Sequence, residues 1–159
     1  MEPRTVTDSR ITMIHQMLPV DANPYGNVHG GVVAKLIDTA GGVVAMRHCQ
    51  GNAVTASIDR LDFLTPIKVG DLVHVKASLN MVGTTSMEVG VRVEAENIQT
   101  GRLRHAVSAY LTYVALDDTG RPIKAPELIL ETDTDKRRFV EAKARRELRK
   151  AERMRENTI

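Results

Sequence analysis

The chain has few of the residues on which several classes of protein depend. It carries one cysteine, Cys49, in 159 residues, which excludes an internal disulfide framework and a zinc site built from several cysteines of one chain. There is no tryptophan, and aromatic residues make up only 3% of the chain. A protein that stacks nucleobases on aromatic rings is therefore not expected. The core must be built from aliphatic side chains and methionine.

Long apolar runs are also missing. No stretch approaches the roughly 20 apolar residues that a membrane span needs. The polar N-terminal residues, MEPRTVTDSR, do not resemble a signal peptide. With 42% hydrophobic residues, the chain is long enough for one domain with a substantial core. We expect a cytoplasmic protein without a membrane partner.

Charge is nearly balanced over the chain but uneven along it. The net charge is +2, whereas residues 136–156 hold ten Lys and Arg against four Glu, a local charge of +6. The remainder is therefore close to −4, and the basic character belongs to the tail. The interspersed Glu residues and the scarcity of aromatics argue against a nucleic-acid partner.

The tail predicts a second unit after a main domain at residues 1–126. We expect a linker from Glu127 to Asp133 and a charged helix from Asp135 to about Glu156, capped by Asp133 or Thr134. This helix is either solvated or a basic patch that contacts phosphates through Lys136, Arg137 and Arg138.

Period-two alternation of apolar and polar residues predicts strands on both sides of one apolar helix. The strands are expected at residues 10–18, 54–63, 72–82, 84–97 and 102–116. Clean alternation indicates an antiparallel sheet with one buried face, which the helix can cover. The sequence therefore predicts an α+β fold.

The most informative stretch is DANPYGNVHGGVVAKLIDTAGG, residues 21–42. Its first half is rich in turn formers and predicts a loop. A helix is expected to begin near Gly30 and to end with Gly51 as its cap, since apolar residues then recur at helical spacing. The amides of Gly30 and Gly31 at the helix N-terminus would be uncovered, which suits an anion or a developing oxyanion.

Asp38 is the one carboxylate in this helix. It lies about two turns, roughly 10 Å, beyond the helix start and cannot reach it within one chain. If Asp38 and the N-terminus of the helix belong to one site, two copies of the helix must lie side by side. The small residues Ala34, Ala40, Gly41 and Gly42 would permit that approach.

Plainer interpretations exist for each of these residues. The glycine pair alone is typical of a turn, and a single Asp on a helix is usually solvated. Asn27 could cap the helix, and His29 could pack beside a site without contacting a ligand.

Together, these residues resemble the hotdog-fold acyl-CoA thioesterases of the cytosolic acyl-CoA hydrolase group. The matching positions are Asp21, Asn23, Gly26, Asn27, Gly30, Gly31 and Asp38, and downstream Phe63-Leu64-x-Pro66-Ile67-x-x-Gly70-Asp71. The resemblance covers roughly residues 5 to 120. It implies a curled antiparallel sheet wrapped around the helix, here with an extra C-terminal basic helix, and a homodimer that commonly assembles into a trimer of dimers.

The resemblance also implies the chemistry. Asp38 would be general base or nucleophile, Asn27 of one subunit would meet Asp38 of the partner, and the Gly30 and Gly31 amides would hold the oxyanion. Coenzyme A enters as part of the substrate, and neither a cofactor nor a metal is expected. Substrate contacts are proposed at His29, Arg60, Thr84, Thr85, Ser86, Arg104, Lys136, Arg137 and Arg138.

Two other functions fit the same fold. Hotdog enoyl-CoA hydratases use Asp-x-Asn-Pro-x-His; this chain begins that pattern at Asp21 but has Gly26 in place of the histidine. A non-catalytic acyl-CoA sensor would be expected to lack the carboxylate that Asp38 supplies.

Overall fold

The computed structural model describes residues 1–158. This part of the chain contains, in order, β1 (Arg4–Thr5), α1 (Val6–Ser9), β2 (Ile11–Gln16), a 3₁₀ turn (Pro19–Asp21), α2 (Gly30–Cys49), β3 (Asn52–Phe63), β4 (Leu72–Val82), β5 (Ser86–Glu96), β6 (Leu103–Leu116), β7 (Leu128–Ile129) and α3 (Asp133–Glu156). No helix in residues 1–158 is long and apolar enough to cross a membrane.

Five strands form one antiparallel sheet in the order β2-β4-β5-β6-β3. Successive residues point to opposite faces, and the alternating apolar residues of β4, β5 and β6 form one inner face. The buried face of α2 packs on it and completes a single core of aliphatic side chains, methionine and Tyr113. The α+β arrangement, with an antiparallel sheet over one central helix, is as predicted.

β3 is one edge of this sheet, and its 12 residues pair only with β6. Register shifts occur after Thr55 and after Ile58, which explains why the alternation in this segment is imperfect. Val54, Ile58 and Phe63 are exposed along the edge. A long edge strand with apolar side chains is a template for pairing with another chain.

The C-terminus of α2 differs from the prediction. Gln50, not Gly51, takes the left-handed conformation that ends the helix, with φ of 49°, and its amide donates to the Met46 carbonyl. The predicted cap was therefore misplaced by one residue, because a non-glycine residue occupies the left-handed position here.

Two terminal features were not predicted. β1 pairs in parallel with β7, so the segment expected to be a linker contains a strand. α3 begins at Asp133 and is capped by Thr132, whose hydroxyl accepts from the Asp135 amide, rather than by Asp133 or Thr134. The Asp135 carboxylate accepts from the Thr132 amide and completes a capping box.

α3 lies on the outer face of the sheet, opposite α2, and is attached by buried charges. The Glu88 side chain has no exposed surface and accepts from Arg145 at 2.6 Å and from Arg149 at 3.2 Å. Arg149 also reaches Asp59 on β3 at 2.7 Å, and the Arg145 guanidinium lies 3.7 Å from the centre of the Tyr110 ring. A strongly charged helix is thus held by specific ion pairs rather than by an apolar stripe.

Replacing Glu88 with Gln is expected to lower the free energy of unfolding by about 3 kcal/mol, because two guanidinium groups lose their buried counter-charge. The control is Glu141→Gln, which removes an exposed carboxylate paired with Arg137 and should cost less than about 1 kcal/mol. Denaturant unfolding at one protein concentration measures both. Equal effects would show that Glu88 is not the attachment point of α3.

Candidate active site

The loop that precedes α2 is held by its own asparagine. Asn23 Oδ1 accepts from the amides of Tyr25 at 2.9 Å and Asn27 at 3.2 Å, and the Asn23 amide donates to the Asn27 carbonyl at 2.7 Å. Gly26 closes the loop with φ of +83°, a conformation that favours glycine. Because Oδ1 is fully engaged, the Nδ2 group of Asn23 is fixed in direction and makes no hydrogen bond within residues 1–158.

The start of α2 corrects one expectation about the two glycine amides. His29 is the N-cap, and its Nδ1 accepts from the Gly31 amide at 2.9 Å. The Gly31 N–H is therefore covered, whereas the Gly30 N–H has no partner in the described chain. His29 acts here as a cap, and only one of the two predicted amides is available to an oxyanion.

A cavity of about 320 Å³ opens beside this amide. Gly30, Asn23 and Asn27 contribute its polar wall, and the rest is mainly apolar: Val28, Val33, Phe63, Leu64, Thr65, Pro66 and Ile67. Phe63 lies so near Gly30 that a Cβ there would sit 3.4 Å from the ring. The cavity thus combines hydrogen-bond donors with an apolar lining, as a site for an acyl carbonyl requires.

The segment after β3 supports this wall through Asp71. Its carboxylate accepts from the Lys68 amide at 2.9 Å and from Arg104 Nη2 at 2.7 Å. The Ile67 carbonyl in turn accepts from the Val28 amide. Arg104, one of the predicted substrate contacts, thus forms an ion pair with the buried Asp71.

Asp38 lies at the other side of α2, against the β3 edge. Its Oδ1 accepts from the Thr55 hydroxyl at 2.7 Å and from the Tyr113 hydroxyl at 3.2 Å. Thr55 and Tyr113 are paired directly across β3 and β6, so the strand register delivers both hydroxyls to one oxygen. Oδ2 has no hydrogen-bond partner within residues 1–158.

Tyr113 is buried, with 1% of its surface exposed, and its hydroxyl also donates to the Asp38 carbonyl at 2.8 Å. Burial, with the Asp38 carboxylate beside it, raises the pKa of Tyr113 well above its ordinary value. The ring fits only because position 41 is glycine: a Cβ there would lie 2.9 Å from Cε2 and Cζ and closer still to the hydroxyl oxygen. Gly41, expected to admit a second helix, instead admits Tyr113 of its own chain.

The two halves of the candidate site do not meet in one chain. Gly30 and Asp38 are eight residues apart on one helix, about 12 Å of rise. Asp38 does not line the cavity that contains Asn23, Asn27 and Gly30. The separation that the sequence predicted is therefore present within one chain.

The predicted contacts that precede α3 lie in two further places. Arg60 is exposed and pairs with Asp62 at 2.7 Å. Thr84, Thr85 and Ser86 form the β4–β5 hairpin, where the carbonyls of Thr84 and Thr85 accept from Ala125 and Ala115. Ser86 pairs with Val114, next to Tyr113, which places this hairpin about two strand spacings, roughly 10 Å, from Thr55.

The basic residues at the start of α3 lie on the opposite face of the sheet from Asp38. Arg137 and Arg138 line a separate cavity there, and Lys136 does not. Within one chain, none of the three is brought to Asp38 or to the Gly30 amide.

Sequence reasoning missed Thr55 and Tyr113 as partners of Asp38 and treated Asn23 only as part of a pattern. Tyr113 lies in the strand predicted at residues 102–116, but nothing in the alternation indicated its partner. The sequence did contain a local signal for the role of Asn23. An asparagine side chain often binds backbone amides a few residues further on, and Asn23 binds those of Tyr25 and Asn27. In residues 1–158, no group of three His, Cys, Asp or Glu side chains is arranged to hold a metal ion.

Comparison with known proteins agrees with this architecture. The thioesterase superfamily model matches residues 25–101. The cytosolic acyl coenzyme A thioester hydrolase of Rattus norvegicus is 40% identical over 146 residues, which are 91% of this chain and 38% of that protein. The chain thus spans about two fifths of the length of that mammalian relative.

Solved structures match over nearly the whole chain. The acyl-CoA hydrolase of Staphylococcus aureus, in complex with butyryl coenzyme A and coenzyme A, superimposes with a TM-score of 0.90 at 35% identity and covers 98% of this chain and 94% of its own. A hexameric acyl-CoA thioesterase gives a TM-score of 0.92 at 37% identity, with 96% and 97% covered.

Structures of the S. aureus enzyme have also been solved for three variants, in which an asparagine, an aspartate or a threonine is replaced by alanine. The asparagine stands 15 residues before the aspartate, and the threonine 17 residues after it. With this agreement in sequence and in fold, the chain belongs to the thioesterase superfamily, as a hotdog-fold member of its acyl-CoA thioester hydrolases.

Proposed function

We propose that this protein hydrolyses acyl-CoA thioesters to the free acid and coenzyme A. The observation that carries the proposal is the Asp38 carboxylate, which has one oxygen anchored by Thr55 and Tyr113 and the other free. Thioester hydrolysis needs an activated nucleophile and a site for the oxyanion. Oδ2 of Asp38 supplies the first, as general base for water or as the attacking group. The Gly30 amide and an asparagine amide supply the second.

The spacing of these residues and the lining of the cavity support the assignment. Asn23 and Thr55 stand 15 and 17 residues from Asp38, the same spacings as the residues exchanged in the S. aureus enzyme. The carbonyl-binding cavity is mainly apolar, which suits the acyl chain of a thioester. The enzyme acts without a cofactor, since coenzyme A is part of the substrate.

The site is completed by a second copy of the chain. The exposed apolar edge of β3 lies beside Thr55 and Asp38, so a partner that pairs there can bring its own loop to this carboxylate. We propose a homodimer as the catalytic unit and a trimer of dimers as the assembly, by analogy with the hexameric relative. The cytosolic relative supports a cytoplasmic location.

Thiol release from a panel of short, long and aromatic acyl-CoAs tests the activity. Release from at least one member supports the proposal and reveals the acyl preference. No release from any member, with acyl-CoA still bound, would contradict it and favour a binding module.

The asparagine that contacts the carbonyl can be identified by two substitutions. Asn23→Asp keeps the oxygen that holds the Tyr25 and Asn27 amides but removes the Nδ2 donor. Asn27→Ala removes only a side chain that makes no hydrogen bond within the described residues. We expect both to lower kcat, Asn23→Asp by about 100-fold and more than Asn27→Ala, because a donor held rigidly stabilises an oxyanion better. A larger effect at Asn27 would reverse the assignment.

Sharing of the site between subunits is tested by mixing inactive variants. Asp38→Ala and Asn23→Asp damage opposite halves of each site, so a heterodimer contains one intact site and one doubly damaged site. Random reassociation should restore about one quarter of the wild-type activity in a two-fold symmetric dimer. No recovery, with subunit exchange confirmed by a tag, would show that each site lies within one chain.

A further inference from the structure

A second cavity, of about 410 Å³, lies on the outer face of the sheet, beneath the first half of α3. Ser78 and Asn80 of β4 and Ser108 of β6 give it a polar floor, and Gly90 of β5 adds no side chain. The sheet separates it from Asp38 of the same chain, because its polar floor residues Ser78, Asn80 and Ser108 alternate along β4 and β6 with core residues such as Leu79 and Val107.

The cavity is strongly cationic. Glu141 is its one carboxylate, against six cations: Arg10, Lys76, Arg92, Arg137, Arg138 and Arg145. Four of these cations pair with a carboxylate. Lys76 and Arg92 pair with Glu94, Arg137 pairs with Glu141, and Arg145 pairs with Glu88. Arg10 and Arg138 pair with no carboxylate in residues 1–158. Two guanidinium groups among four other cations leave an unbalanced positive field.

One arginine that reaches the floor, Arg138, is held on a rigid support. Arg138 Nη1 donates to the Ser78 hydroxyl at 3.4 Å, and α3 is fixed to the sheet through Glu88. Asn80 is fixed as well: its Nδ2 donates to Glu88, and a Cβ at position 90 would lie 2.7 Å from that nitrogen. Glycine at position 90 therefore preserves the shape of the floor.

We propose that this cavity binds a phosphate-bearing anion, with Arg138 and Arg10 as its main ligands. The planar guanidinium fork matches a phosphate group and binds it more specifically than an ammonium does. The volume falls in the range of small-molecule sites. This phosphate has two possible sources. One is the coenzyme A part of a substrate whose thioester reaches another subunit, and this alternative rests on the proposed function. The other is a free phosphorylated effector.

Calorimetric titration with inorganic pyrophosphate tests the site directly. Arg138→Ala and Arg10→Ala should each weaken binding at least tenfold. The matched control is Lys143→Ala, which removes one exposed positive charge from the same helix outside the cavity and should change affinity less than twofold. No binding by the wild type, or equal weakening by Arg138→Ala and Lys143→Ala, would overturn the proposal. Circular dichroism confirms that each variant is folded.

The source of the phosphate is decided by comparing substrates. If Arg138→Ala raises KM for acyl-CoA at least fivefold but leaves KM for acyl-pantetheine unchanged, the site holds the nucleotide part of the substrate. If both KM values are unchanged and pyrophosphate alters the rate of the wild type only, the site holds an effector. The titration needs no turnover, so failure of the thioesterase proposal and failure of this site give different results.

Discussion

Replacing Asp38 with alanine is expected to lower kcat for acyl-CoA hydrolysis by about 10³-fold, because the substitution removes the group that activates water or attacks the carbonyl. KM should change little, since the apolar cavity and the asparagine amides remain. Asp38→Asn sharpens the test: its side-chain oxygen can still accept from Thr55 and Tyr113, so packing is kept while the charge is lost. We expect the same loss of kcat from both variants.

Asp62→Asn is the control for this experiment. It removes a carboxylate of the same strand edge that pairs with the exposed Arg60, and it should leave kcat within about twofold of the wild type. Size-exclusion chromatography shows whether each variant keeps the assembly of the wild type. Full activity in a folded Asp38→Ala variant would remove Asp38 from the mechanism, and the carboxylate would then be structural.

Replacing Gly41 with alanine is expected to lower kcat by about 10²-fold, although position 41 itself is not expected to contact the substrate. The added Cβ cannot share its place with the Tyr113 ring, so the ring must shift and its hydroxyl must leave Asp38. A misplacement of about 1 Å in a catalytic group can cost this much. Stability should also fall, by about 1–3 kcal/mol, since the ring is buried in the core.

Gly42→Ala is the matched control, because a Cβ at position 42 would lie 3.7 Å from Cε1 of the same ring, an ordinary contact. It should retain near wild-type kcat. Tyr113→Phe separates packing from hydrogen bonding: it should lower kcat with little change in KM while keeping the ring in place. Equal kcat for Gly41→Ala and Gly42→Ala would show that Tyr113 does not position Asp38.

Local patterns in the sequence were sufficient for most of the elements. β4 has the predicted bounds, Leu72–Val82, and α2 begins at Gly30 as expected, because alternation and helical spacing depend on neighbours within a few residues. The ends differed from the prediction: Gln50 rather than Gly51 closes α2, and Thr132 caps α3. These choices depend on backbone conformations that several residue types can adopt.

Asp38 and the loop from Asp21 to Gly31 could be singled out as a candidate site from residue types and spacing alone. The distance along α2 also indicated that one chain could not complete the site, since helical rise is the same in any protein. These inferences needed only local geometry and the resemblance to a family.

Only the tertiary structure decided which groups surround these residues. Tyr113 is 75 positions from Asp38 and Thr55 is 17, and both contacts exist because β3 and β6 pair in one register out of several possible. The Gly31 amide is covered because the His29 ring turns back onto it. α3 covers the outer face because Glu88 is buried opposite Arg145 and Arg149. Spacing along a chain predicts local structure, whereas contacts between distant residues depend on strand register and side-chain packing, which form only when the whole sheet assembles.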